Sequence, residues 1–125
     1  MKNIQVGRIY TLEEQVTEEK SAHHIGSGIL NVYSTPSMIA LMEKASYLCV
    51  ENYLDEQEST VGGSVNIRHL KPTAIGKKVA CTSRVVASDG KRIEFEVEVR
   101  EGEKLIGNGT HTRFVVEKER FLKML

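Results

Sequence analysis

One helical stretch followed by four alternating segments predicts an α+β domain, with an antiparallel sheet wrapped around one long central helix. Three observations carry that expectation. Apolar residues recur at helical spacing through Met38, Leu41, Met42, Ala45, Leu48, Cys49 and Tyr53. From Val61 onward the apolar period falls to two and stays there. The later segments are joined by short turns, the connection that antiparallel neighbours allow.

Taken in order, Val6 to about Thr17 reads as a first strand, and Glu18 to Asn31 as a loop or lid. Ser34-Thr35-Pro36 starts the helix, with Thr35 expected as the capping hydroxyl and Pro36 at the first helical position. Ile39 and Val50 widen the apolar arc, leaving a narrow polar stripe of Ser37, Lys44 and Glu51. So narrow a stripe predicts a helix buried on most sides. Val61 to Leu70 then puts Val65, Ile67 and His69 on one face of a strand, with Ser64, Asn66 and Arg68 on the other. Lys77 to Ala87 is the next strand, turned by Ser88-Asp89-Gly90-Lys91 into the alternating run Ile93 to Val99. Arg100-Glu101-Gly102-Glu103 turns into the last strand, Lys104 to Val116, and Lys118 to Leu125 reads as a short helical turn. A single helix wrapped by a curved antiparallel sheet is the hotdog fold. Such a sheet covers one flank of the helix and leaves an open edge, so a homodimer is expected.

At 125 residues the chain forms one domain, 1–125, large enough to bury a core without disulfides or metal. Lysine plus arginine balances aspartate plus glutamate at 17 each, which gives no bulk attraction to nucleic acid or anionic membrane. Cys49 and Cys81 lie far apart in apolar contexts and read as core thiols of a reducing compartment. Met1-Lys2-Asn3-Ile4-Gln5 lacks a signal-peptide stretch, and no apolar run reaches membrane-spanning length. A cytoplasmic location follows as the expectation. His23 and His24 share no ligand spacing with the cysteines, so no metal is expected.

Three polar residues stand out against this frame. Thr35 lies at the mouth of the helix, where its positive dipole end suits an anion. Glu43 lies two turns further on, at the border of the buried arc, where partial desolvation would raise its basicity. His69 shares an inward face with Val65 and Ile67, and is expected to orient Glu43 or move a proton. Together a hydroxyl, a carboxylate and an imidazole suit acyl transfer. The ordinary alternatives are a helix cap, a boundary glutamate and a core histidine. Gly62 and Gly63 permit either close approach of a ligand or a bulge. Arg113 would bind an anionic group or pair with strand acids, and His111 reads as structural. Lys71, Lys77 and Lys78 are solvated lysines within reach of a phosphate-bearing ligand.

Several segments resemble one known group. Val32-Tyr33-Ser34-Thr35 with Met38 and Leu41-Met42-Glu43 resembles the helix start of the fluoroacetyl-CoA thioesterase-like hotdog family. So do Gly62, Val65 and His69 followed by Pro72-Thr73 and Gly76, and the final Ile106-Gly107-Asn108-Gly109-Thr110-His111-Thr112-Arg113. The resemblance runs from about Val32 to Val116. It implies hydrolysis of an acyl-CoA thioester at a dimer interface, with CoA as part of the substrate and no separate cofactor. It also implies catalytic roles for Thr35, Glu43 and His69, and puts Gly62 and Arg113 near the substrate. The family's name-giving member has a pair of phenylalanines in the segment before the helix, forming a lid that favours the fluorinated acyl group. Here Gly26 and Ile29 stand at those positions, so a fluoroacetyl preference is not expected. Two other readings stay open: a non-catalytic acyl-CoA binding module, and a hotdog hydratase or dehydratase. The Asp-x-x-x-x-His arrangement common in the latter is not found before the strands.

Overall fold

The computed structural model describes residues 3–125; Met1 and Lys2, which open the stretch read for a signal peptide, lie outside it. Strand β1 (Ile9–Gln15) leads through a 3-10 turn (Glu18–Lys20) and the short helix α1 (Ala22–Ile25) to the long helix α2 (Thr35–Val50). Strands β2 (Glu58–His69), β3 (Lys78–Ser88), β4 (Arg92–Glu101) and β5 (Lys104–Glu117) follow, then helix α3 (Lys118–Leu122). The segment expected to be loop or lid therefore contains two short helical pieces. Ser21 caps α1 by accepting from the His24 N–H, and Gly26 ends it in the left-handed region at φ 88°.

Helix α2 starts one residue earlier than expected. Ser34, with extended backbone, is the cap, its Oγ accepting from the Ser37 N–H at 3.1 Å. Thr35 is the first helical residue and Pro36 the second, still within the turn whose N–H groups have no helical acceptor. The cap expected of Thr35 is thus supplied by its neighbour. Ser37 departs from the polar stripe: it is buried, and its hydroxyl accepts from Ser34 Oγ at 2.7 Å.

Met38, Leu41, Met42, Ala45, Cys49 and Val50 are buried against Val79, Cys81, Val85, Ile93, Phe95, Val99 and Ile106 of the sheet. Truncating one such core methionine to alanine costs about 2–5 kcal/mol. Ser46 is buried on the same side, bonded to the Met42 carbonyl and to Ser83 Oγ, both at 2.8 Å. The opposite side of α2 leaves Ala40, Lys44 and Tyr47 exposed. One chain therefore covers only one broad side of a helix expected to be buried on most sides.

The five strands run β1-β3-β4-β5-β2, antiparallel throughout, around α2. This is the hotdog fold. At the β3–β4 turn, Asp89 Oδ1 accepts from the Lys91 and Arg92 N–H groups at 2.9 and 2.7 Å, and Gly90 takes φ 88°. Strand β2 forms one edge, paired only with β5. Its pairing sets Gly62 opposite Arg113 and His69 opposite Gly107, with a bulge between Gly62 and Ser64. At Gly107 a Cβ would come within 2.7 Å of the Arg68 carbonyl and the Met38 side chain. That bare spot lets the end of β2 approach the start of α2, which sets the site.

Candidate active site

The polar residues singled out in the sequence divide into two pairs. At the start of α2, Thr35 is exposed, and its Oγ1 lies 2.8 Å from Nδ1 of His69 at the end of β2. The Tyr33 ring meets the imidazole edge-on, with centroids 6.3 Å apart. Tyr33 is itself pinned, donating to Glu14 Oε2 at 2.6 Å while Lys20 Nζ holds Glu14 Oε1 at 2.9 Å. Nε2 of His69 is buried with no hydrogen-bond partner among the described residues. Burial holds the pKa of His69 below the ordinary imidazole value, the Lys71 backbone working weakly the other way. The imidazole is therefore neutral at pH 7, able to take a proton from a hydroxyl or water.

This pair opens on a cleft of about 360 Å³ whose walls include Tyr33, Thr35, His69, Leu70, Lys71 and Pro72. Lys71 thus borders the cleft, whereas Lys77 and Lys78 are exposed and lie outside it. A wider hollow of about 590 Å³ among Ile9, Arg84, Glu96 and Thr110 lies on the solvent side of the sheet. It contains no hydroxyl–imidazole pair, so the smaller cleft is the candidate site.

The second pair is Glu43 and Arg113, with Nη1 3.6 Å from Oε2. Arg113 is buried, donating from Nε to Thr60 Oγ1 and from Nη2 to the Thr60 carbonyl, both at 2.9 Å, and lying over the Tyr47 ring. Gly62 sits directly beneath the carboxylate, where a Cβ would stand 2.8 Å from Glu43 Oε2. The structure shows the bulge that the sequence allowed, and the group that comes close at Gly62 is a side chain of the chain itself. Gly62 gives close approach to Glu43, and Gly63 lies in the bulge under the Phe114 ring.

The Glu43 side chain is 41% exposed, so within one chain it is partly desolvated, as its place at the border of the buried arc suggested. One expectation changes: within one chain His69 does not orient Glu43, since no hydrogen bond or ion pair joins Glu43 to Thr35 or His69 among the described residues. Thr35 and Glu43 are eight residues apart on α2, about 12 Å along its axis. The remaining candidates lie elsewhere. His23 and His24 are exposed on α1, and no group of three or more possible metal ligands occurs among the described residues. Both cysteines are free and buried, and burial pushes Cys81 up to about 12, which removes it as a nucleophile.

Sequence reasoning passed over His111 as a participant. It is buried, and its Nε2 lies 3.1 Å from Arg113 Nη1. The i,i+2 spacing of His111 and Arg113 on one strand already put them on one face.

The model of the fluoroacetyl-CoA-specific thioesterase family, FlK, matches residues 16–119. The chain belongs to that family. A fluoroacetyl-CoA thioesterase of Streptantibioticus cattleyicolor is 28% identical over 124 residues, spanning 94% of this chain and 89% of that one. The solved structure of the fluoroacetyl-CoA thioesterase FlK is similar with a TM-score of 0.93 at 27% identity, covering 98% of this chain and 96% of the other. A thioesterase-superfamily protein of Thermus thermophilus gives 0.91 at 28% identity, covering 99% and 92%. The two positions where the resemblance puts a pair of phenylalanines are Gly26 and Ile29 in this chain. Gly26 holds a left-handed backbone that a side chain would strain, and Ile29 is 88% exposed. Among the described residues no helix is long and apolar enough to cross a membrane.

Proposed function

We propose that this protein hydrolyses an acyl-CoA thioester to a carboxylic acid and free CoA, as a homodimer whose sites each draw on both subunits. The observation that carries this is the Thr35–His69 hydrogen bond at the mouth of a cleft, in a chain of the thioesterase family. The cleft takes the thioester, with Lys71 placed for the anionic part of CoA. Glu43 supplies the carboxylate, but from the middle of α2, about 12 Å along the axis from Thr35, so a second copy must bring it. The unpaired edge of β2 and the exposed side of α2 with Ala40, Lys44 and Tyr47 support a twofold contact of this kind. There Glu43 of the partner subunit faces Thr35 and His69, and loses the exposure it has alone.

In that site the carboxylate takes a proton from water as the water adds to the carbonyl carbon, or adds itself to give a mixed anhydride that water opens. Thr35, held by His69 at the positive end of α2, hydrogen-bonds the water or the developing oxyanion. Collapse of the tetrahedral intermediate breaks the carbon–sulfur bond. The thiolate departs readily because thiols are far more acidic than alcohols. The free, buried thiols Cys49 and Cys81 support a reducing, cytoplasmic setting.

A panel of short-, medium- and aryl-acyl-CoA substrates with a thiol-detecting dye tests the activity. CoA release is expected, reduced about 100-fold or more by Thr35→Ala, Glu43→Ala or His69→Ala with the dimer intact. Absence of CoA release from every substrate would overturn the proposal, leaving a binding module. Hydroxylamine trapping during turnover separates the two routes: a hydroxamate on the Glu43 side chain itself, found by peptide mass spectrometry, marks the anhydride.

A further inference from the structure

We infer that His111 is a positioning residue for this hydrolysis, fixing through Arg113 the guanidinium that holds Glu43 against Gly62. The inference rests on the catalytic role given to Glu43 above. Its physical basis is a chain of contacts from the β2 bulge to the carboxylate. Arginine carries donors only, so His111 Nε2, 3.1 Å from Arg113 Nη1, must accept. Nδ1 then carries the hydrogen and donates to the Ser64 carbonyl at 2.8 Å. The ring is thereby fixed as one neutral tautomer, and its stacking on Phe95, with centroids 6.1 Å apart, fixes its plane. His111 is 1% exposed, so water is not free to replace either contact.

The guanidinium has no slack. Nε and Nη2 are committed to Thr60, and Nη1 remains for both His111 and Glu43. With one Nη1 hydrogen held by His111, the other is left on the side of Glu43 Oε2, an ion pair at 3.6 Å. Without the imidazole acceptor, Nη1 keeps a buried unpaired hydrogen and the guanidinium tilts. The bulge between Gly62 and Ser64 belongs to the same device, since it lies between the bare spot under Glu43 and the carbonyl that orients His111. The charged groups facing His111 are Arg113 and Glu43, and a protonated ring would set donor against donor at Nη1. Burial and the Arg113 charge both favour the neutral ring.

Two substitutions separate positioning from packing. The amide oxygen of His111→Gln reaches the place of Nε2 and accepts from Arg113. The shorter His111→Asn reaches only the place of Nδ1 and leaves Arg113 unpaired. At matched melting temperature, His111→Asn is expected to lower kcat about 10- to 100-fold with KM little changed, and His111→Gln to restore most of that loss. Equal kcat for the two variants, whether both high or both low, would overturn the proposal. Should either variant fail to fold, nitrogen-15 NMR of the wild-type imidazole decides. A hydrogen on Nδ1 and a bare Nε2 are expected, and a hydrogen on Nε2 would overturn it. Glu43→Gln run alongside isolates the reading beneath: wild-type turnover there removes Glu43 from catalysis, while the tautomer still reports on the His111–Arg113 contact.

Discussion

Thr35 and Ser34 show how much turns on a single position. A run of two hydroxyl residues before proline announces a helix start, but proline is accepted at either of the first two helical positions. The sequence therefore leaves open which hydroxyl caps. Since Ser34 caps and Thr35 does not, the two alanine variants should behave in opposite ways. Ser34→Ala should lower stability by about 1 kcal/mol, a fall of a few degrees in Tm. Thr35→Ala should leave Tm near the wild type while turnover collapses, as thermal melts and steady-state kinetics would show. A large Tm loss in Thr35→Ala would return the residue to a capping role. The buried imidazoles add a pH dependence. The pKa values of His69 and His111 are lowered in the folded chain from 6.5, chiefly by burial. The unfolded chain then binds more protons, so their contribution is fully present above about pH 6.5 and is lost as pH falls toward the folded values. Tm should therefore drop between pH 7 and pH 5, and drop less in His111→Gln. A Tm independent of pH across that window would contradict it.

Among the elements, β2 is where alternation and structure part company. The period-two reading put Val65, Ile67 and His69 on one face, and His69 does reach the start of α2. A bulge leaves no mark in a hydrophobic pattern at a pair of glycines, because neither residue has a side chain to alternate. Its consequence is nonetheless local and checkable. In Gly62→Ala the new Cβ would stand 2.8 Å from Glu43 Oε2 and must displace the carboxylate, the movable partner. A loss of kcat of about 100-fold with a near-native Tm is expected. At Gly107 the neighbour is backbone, the Arg68 carbonyl at 2.7 Å, so Gly107→Ala should instead destabilise the fold by about 1–3 kcal/mol in urea denaturation. If Gly62→Ala instead lost stability and kept its rate, Glu43 would not be the group that needs the space.

At the level of the molecule, helix, strands and their antiparallel order were legible because each has its own apolar period. The eight-residue spacing of Thr35 and Glu43 on one helix was legible too, but it was not read as keeping the two apart within one chain. The proposed second copy rests on that geometry more than on composition. Contacts between side chains of similar depth, such as His111 with Arg113, depend on rotamers that no pattern specifies. The proposed composite site of a dimer is tested most directly by mixing two inactive proteins, Thr35→Ala and Glu43→Ala, under conditions of free subunit exchange. Each mixed dimer then carries one site with both defects and one with neither, so equal mixing should recover about one quarter of wild-type CoA release. Activity that stays at the level of the separate mutants, with exchange shown to be complete, would place Thr35 and Glu43 in the same chain's site and contradict it.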